Sequence, residues 1–159
     1  MFRQGMYLST DLLYNICKNR LEIIERTPGR VNGKMFFNCL AVGAGGFAGS
    51  VFRYIIGLIP WLNKSEMPFQ TLIVNVAGAV IIGMLVKSAD TAVLLDGRFI
   101  LFLKVGICGG FTTFSTFSLE SLELLEMGKP GIFAVYVIAS IVLCILGVFC
   151  GKYIAGALQ

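Results

Sequence analysis

Histidine is absent from this chain. That removes the commonest general base, metal ligand and proton relay together. Charge is scarce as well, at 14% of residues. From residue 35 onward seven Lys/Arg stand against six Asp/Glu, which excludes a basic nucleic-acid surface. The five cysteines, Cys17, Cys39, Cys108, Cys144 and Cys150, include no C-x-x-C pair, and four lie in or beside apolar runs. They read as small buried fillers rather than a zinc site or a disulfide framework. No G-x-x-x-x-G-K-[ST] loop and no G-x-S-x-G elbow occurs, so the chain does not read as an enzyme. Asn63-Lys64-Ser65 fits a glycosylation sequon in a very short loop and reads as a chance match.

What the chain has instead is apolar length. Hydrophobic residues make up 57% of 159, and mean hydropathy is +0.83, more apolar surface than one soluble core of this size can hide. Residues 67–86 are uncharged over 20 positions and residues 130–151 over 22. Each run can cross about 30 Å of hydrocarbon as a helix. Residues 35–52 are uncharged over 18, and the apolar pattern resumes after Arg53; residues 99–119 are apolar except for Lys104. The expectation is an all-α integral membrane protein with four spans, about 36–60, 69–86, 99–119 and 130–155. Gly45-x-x-x-Gly49 in the first span lets helix backbones approach closely in lipid. Gly128-Lys129-Pro130-Gly131 reads as a turn, with Pro130 opening the last helix.

Residues 1–34 differ, with six Lys/Arg, three Asp/Glu and scattered leucine and isoleucine. They read either as an extension carrying a short interfacial helix on anionic lipid or as a segment not native to the protein. Around the spans the positive-inside signal is nearly balanced: Lys87, Arg98 and Lys152 on one side, Lys64 and Lys129 on the other. A balanced chain can insert both ways.

The third span carries Gly106-Ile107-Cys108-Gly109-Gly110-Phe111-Thr112-Thr113-Phe114-Ser115-Thr116-Phe117. Adjacent glycines predict a helix broken at Gly109-Gly110, with carbonyls freed at membrane depth that protein, water or an ion must satisfy. Beyond it Phe114 and Phe117 share a face, beside the hydroxyls of Ser115 and Thr116. Hydroxyls donate hydrogen bonds, and an aromatic edge is electropositive, so this combination suits a small dehydrated anion without a trapping charge. The plainer alternative is core or lipid-facing rings with hydroxyls bonded back to the helix.

Asn75 sits inside the second span, as interhelical glue or as an ion contact. Tyr136, Ser140 and Cys144 recur at i, i+4, i+8 as one polar stripe of the last span, for packing or for an ion path. Arg53 either snorkels or attracts anions in a vestibule, and Lys104 is explained by snorkelling.

Together these residues resemble the Fluc/CrcB family of fluoride channels. The matching motifs are residues 43–49 through Arg53-Tyr54, residues 71–78, and residues 106–117; the resemblance runs from about residue 36 to the C-terminus. It implies a dual-topology antiparallel homodimer in a bacterial-type plasma or inner membrane, exporting fluoride passively to lower its cytoplasmic concentration. It further implies pore rings at Phe114 and Phe117, a pore amide at Asn75, and a polar track at Tyr136, Ser140 and Cys144. A structural Na⁺, not transported, is implied on the backbone carbonyls of Gly109 and Thr112. Cys144 departs from the serine often found there, and a thiol is the weaker donor. The competing functions are a small four-helix secondary transporter, which needs an intramembrane proton carrier, and a non-transporting membrane scaffold.

Overall fold

A computed structural model describes residues 31–91 and 97–158. The chain divides into a unit Met1–Phe37 and a unit Asn38–Gln159. In the first, the described residues are helical, and the rings of Phe36 and Phe37 meet edge to face with centroids 5.8 Å apart. The expected interfacial helix in residues 1–34 falls mainly on residues 1–30, outside the described residues, as does Cys17.

All described elements are helical. Helix α1 spans Val31–Gly57, a single 3₁₀ turn Pro60–Asn63 follows, and α2 spans Phe69–Thr91. Helix α3 covers residues 97–111 in three stretches: α-helical Gly97–Leu101, π-helical Phe102–Cys108 and α-helical Gly109–Phe111. Helix α4 is Phe114–Glu126 and α5 is Pro130–Ala157. Among the described residues, four segments are long and apolar enough to cross a bilayer: Gly33–Gly57, Phe69–Ser88, Gly97–Glu126 and Pro130–Ala157. Large apolar side chains stand exposed on every one, as expected where lipid or another apolar surface replaces water.

The third span departs from expectation in detail. Gly109 and Gly110 remain helical; Gly109 has φ −65° and ψ −37°. The chain breaks two residues later, where Thr112 (φ −80°, ψ 156°) and Thr113 (φ −149°, ψ 116°) are extended. The glycines serve close approach instead of breakage. A Cβ on Gly106 would stand 2.8 Å from Gly45 Cα, and one on Gly49 would stand 2.8 Å from Phe111 N. The predicted Gly45/Gly49 face therefore meets a matching Gly106/Gly110 face, and α1 and α3 touch backbone to backbone. The π-helical stretch lies on this same seam.

Helix α2 packs most extensively on α5, again through glycines: a Cβ on Gly151 would meet the Val80 carbonyl and lie 3.0 Å from Met84 N. Leu72, Leu124 and the fully buried Tyr136 form a small core that joins α2, α4 and α5. The α4–α5 connection is a Schellman turn. Gly128 takes φ 70°, its N–H donates to Leu125 O (3.0 Å), and the Lys129 N–H donates to Leu124 O (2.9 Å). Pro130 then opens α5 as predicted.

The α2–α5 seam yields a paired prediction. Gly151→Leu must push the two helices apart and should destabilise the detergent-purified protein by about 1–3 kcal/mol. Gly131→Leu, where a Cβ meets nothing within 4 Å, should leave thermal stability near wild type. Melting followed by size-exclusion chromatography checks both; equal stability of the two variants would refute the close-packed seam.

Candidate functional site

The break in the third span is held by one side chain. Asn75 on α2 accepts from the Thr113 N–H at Oδ1 (2.8 Å) and donates through Nδ2 to the Thr113 carbonyl (3.1 Å). It takes the place of a neighbouring strand, satisfying both backbone groups of an extended residue in a setting without water. Thr113 in turn caps α4. Its Oγ1 accepts from the Thr116 N–H (3.2 Å), donates to Thr116 Oγ1 (3.0 Å), and lies 3.2 Å from Ser115 Oγ. An α-helix N-terminus thus begins midway along the Gly97–Glu126 span, where its dipole favours negative charge.

The same rearrangement strips helical donors from the carbonyls at the end of α3, those of Gly109 and Thr112 among them. The Thr113 N–H, which a continuous helix would give to Gly109 O, goes to Asn75. The Thr116 N–H, which would reach Thr112 O, goes to Thr113 Oγ1. Ser50 Oγ on α1 donates to the Gly110 carbonyl at 3.4 Å. Carbonyl oxygens so freed suit a hard cation. Among the described residues no cluster of His, Cys, Asp or Glu could hold a metal.

Two cavities lie along this break, and Thr113 lines both. The first, about 390 Å³, includes Ser50, Arg53, Tyr54, Gln70 and Thr116. The second, about 510 Å³, brings together Asn75, Phe114, Phe117, Ser140 and Cys144, with Gly109 and Thr112 at its wall. Phe114 is 79% exposed; Phe117 is half-buried against Tyr136. The two phenylalanine centroids are 5.6 Å apart with planes tilted by 41°. Ser140 is buried, and its hydroxyl has no hydrogen-bond partner among the described residues. A buried unpaired hydroxyl costs about 1–3 kcal/mol, which makes Ser140 a donor to the cavity only if a neighbour on the cavity wall moves aside.

Residues singled out in the sequence therefore separate into groups. Asn75, Phe114, Phe117, Ser140 and Cys144 share the second cavity, while Arg53 and Thr116 face the first. Ser115 lines neither and joins the Thr113 hydroxyl network. Tyr136 also lines neither. It is fully buried, and its hydroxyl donates to Glu120 Oε2 (2.6 Å) while Thr71 Oγ1 donates to Glu120 Oε1 (2.8 Å). Glu120 is the residue sequence reasoning missed. It reads as the polar end of the third span, but α4 runs on to Glu126 and keeps it within the bundle. Its partners lie 49 and 16 positions away, so no local pattern marks it.

Comparison with known proteins identifies the family. Residues 40–152 match the family model described as "CrcB-like protein, Camphor Resistance (CrcB)". A protein of Ruminiclostridium cellulolyticum is 44% identical over 123 residues, covering 77% of this chain and 95% of the relative. One from Agrobacterium fabrum is 43% identical over 117 residues (72% and 92%), and one from Methylobacterium radiotolerans 38% over 126 residues (76% and 85%). All three bear the name "Fluoride-specific ion channel FluC". With a family match over more than half its length and relatives that align nearly end to end, this multi-pass membrane protein belongs to the CrcB family.

Proposed function

We propose that the protein is a passive, fluoride-selective channel of the cell membrane that lets fluoride leave the cytoplasm down its gradient. The observation that carries this reading is the second cavity. There a helix N-terminus, two phenylalanine rings, an asparagine amide and an unpartnered serine hydroxyl converge without a carboxylate. Fluoride is small and strongly hydrated, so a path must offer donors in place of water. Hydroxyls and the amide donate, ring edges are electropositive, and the helix dipole adds a fixed partial charge. None of these donors is a full charge, and the one full charge on the lining, Lys104, stands exposed, so binding at the donors stays weak enough for release. Relatives named as fluoride-specific channels support the choice of ion.

The functional unit in this proposal is an antiparallel homodimer. Its support is the balanced distribution of loop charge and the exposure of Phe114, a large ring at the edge of the cavity that the single chain leaves uncovered. A structural Na⁺ bound by the carbonyls of Gly109 and Thr112 would neutralise the acceptors left by the break. A second reading, a proton-coupled exporter, draws on Glu120, the one carboxylate set among hydrogen bonds inside the third span. Both its oxygens are already paired with hydroxyls, which fits a fixed structural acceptor better than a shuttling proton. Fluoride transport that requires a pH step across the membrane would select the exporter; transport at equal pH selects the channel.

Replacing the rings tests the path. Phe114→Ile keeps an apolar side chain at an exposed site and removes only the ring edge, so insertion and folding should persist. Phe117→Ile also loses packing on Tyr136 and should lower stability slightly. If each edge contact contributes about 1–2 kcal/mol, by analogy with cation–π pairs, flux through the double variant should fall by roughly 25- to 700-fold at tenfold per 1.4 kcal/mol. Wild-type fluoride efflux from liposomes holding the folded double variant would rule out an aromatic path. For the cation, complete replacement of Na⁺ by N-methyl-D-glucamine should reduce flux or the dimeric fraction. Unchanged flux and dimer after that replacement would remove the Na⁺ site from the account.

A further inference from the structure

Lys104 has no role in the path described so far, and snorkelling alone would explain a lysine near the end of a span. Its surroundings are more specific. It lines the second cavity, as does Ser140 of α5, whose buried hydroxyl has no hydrogen-bond partner among the described residues. Ser140 is only 6% exposed, so that hydroxyl has no bulk water to satisfy it. Lys104 is exposed and makes no ion pair among the described residues. The stretch that carries it, Phe102–Cys108, is π-helical, a geometry frequent at functional sites.

The two cavities match in charge. The lining of each holds one cationic side chain, Arg53 in the first and Lys104 in the second, and neither lining holds an Asp or Glu. A cleft with one uncompensated sign of charge and low-dielectric walls concentrates counter-ions. Rings and mouths of Lys or Arg act in this way in anion pores.

We propose that Lys104 makes the second cavity an anion-collecting vestibule, which raises the local concentration of small monovalent anions before they reach Ser140 and the phenylalanine rings. This rests on the fluoride-channel reading. Lys104 is a positioning residue in it: the ammonium attracts the ion, and the hydroxyl and rings receive it. Its effect is electrostatic and acts over several ångströms, so it is screened by salt. That separates it from packing or snorkelling, which salt does not screen.

The test is fluoride efflux from vesicles of uncharged lipid, at fluoride below saturation, for the wild type, Lys104→Met and Lys104→Arg. Each is measured at about 0.01 M and about 0.1 M ionic strength of impermeant salt, where the screening length falls from about 30 Å to about 10 Å. Lys104→Met should conduct about threefold or more below wild type at low ionic strength, with the gap narrowing at the higher one. Lys104→Arg, which keeps the charge, should stay close to wild type at both. Equal flux of Lys104→Met and wild type at low ionic strength would overturn the proposal. So would a loss shared by both variants and indifferent to salt, which would mark a packing role. Absence of fluoride flux in the wild type would refute the channel reading itself, whatever the variants do.

Discussion

In hydrocarbon no water completes a broken helix, so Thr112 and Thr113 can be extended at membrane depth only because Asn75 pairs with both backbone groups of Thr113. An unpaired backbone group there costs several kcal/mol. The amide is suited to this as no other uncharged side chain of its length is, since it presents a donor and an acceptor side by side. Thr71 and Val74, buried on the same helix, hold α2 against its neighbours and so fix the height at which the amide meets the break.

The remainder of the site follows from that contact. Once Thr113 is pinned, its hydroxyl caps α4 and sets that helix's N-terminus mid-span. Phe114 and Phe117 are then the first residue of α4 and its next turn, which puts both rings on the wall of the second cavity. Farther along, Glu120 is locked by Thr71 and Tyr136, so α2, α4 and α5 are tied at a second height. The α1–α3 glycine seam holds the other side of the break close to Ser50 and Arg53. The two cavities are consequences of a span that changes direction between two such tied regions.

The spans were legible in the sequence because uncharged length is a direct physical requirement of the bilayer. So were Pro130 at the start of α5 and the Gly45/Gly49 face, because each rests on local geometry. The break was legible in kind and misplaced by two residues. Two glycines are poor helix formers in isolation, but here the missing side chains are what let α3 lie against α1, and the contact keeps them helical. The true break needed an external partner, and the sequence left Asn75 open between glue and ion contact. It is glue to a backbone, and it also lines the cavity. Glu120 and the π-helical stretch were not legible, since both depend on residues brought together only by packing. Tyr136 belonged to a visible polar stripe, yet its hydroxyl turns to Glu120 and away from Ser140 and Cys144, a choice that spacing alone does not reveal.

If the proposed function holds, a carboxylate-free cavity beside a broken helix conducts one small, strongly hydrated anion. The most direct measurement is efflux of fluoride, and separately of chloride, from liposomes holding the purified wild-type protein, at equal pH on both sides and without nucleotide. The fluoride gradient should collapse rapidly while chloride stays trapped. Retention of fluoride, or release of both anions at similar rates, would contradict the proposed function.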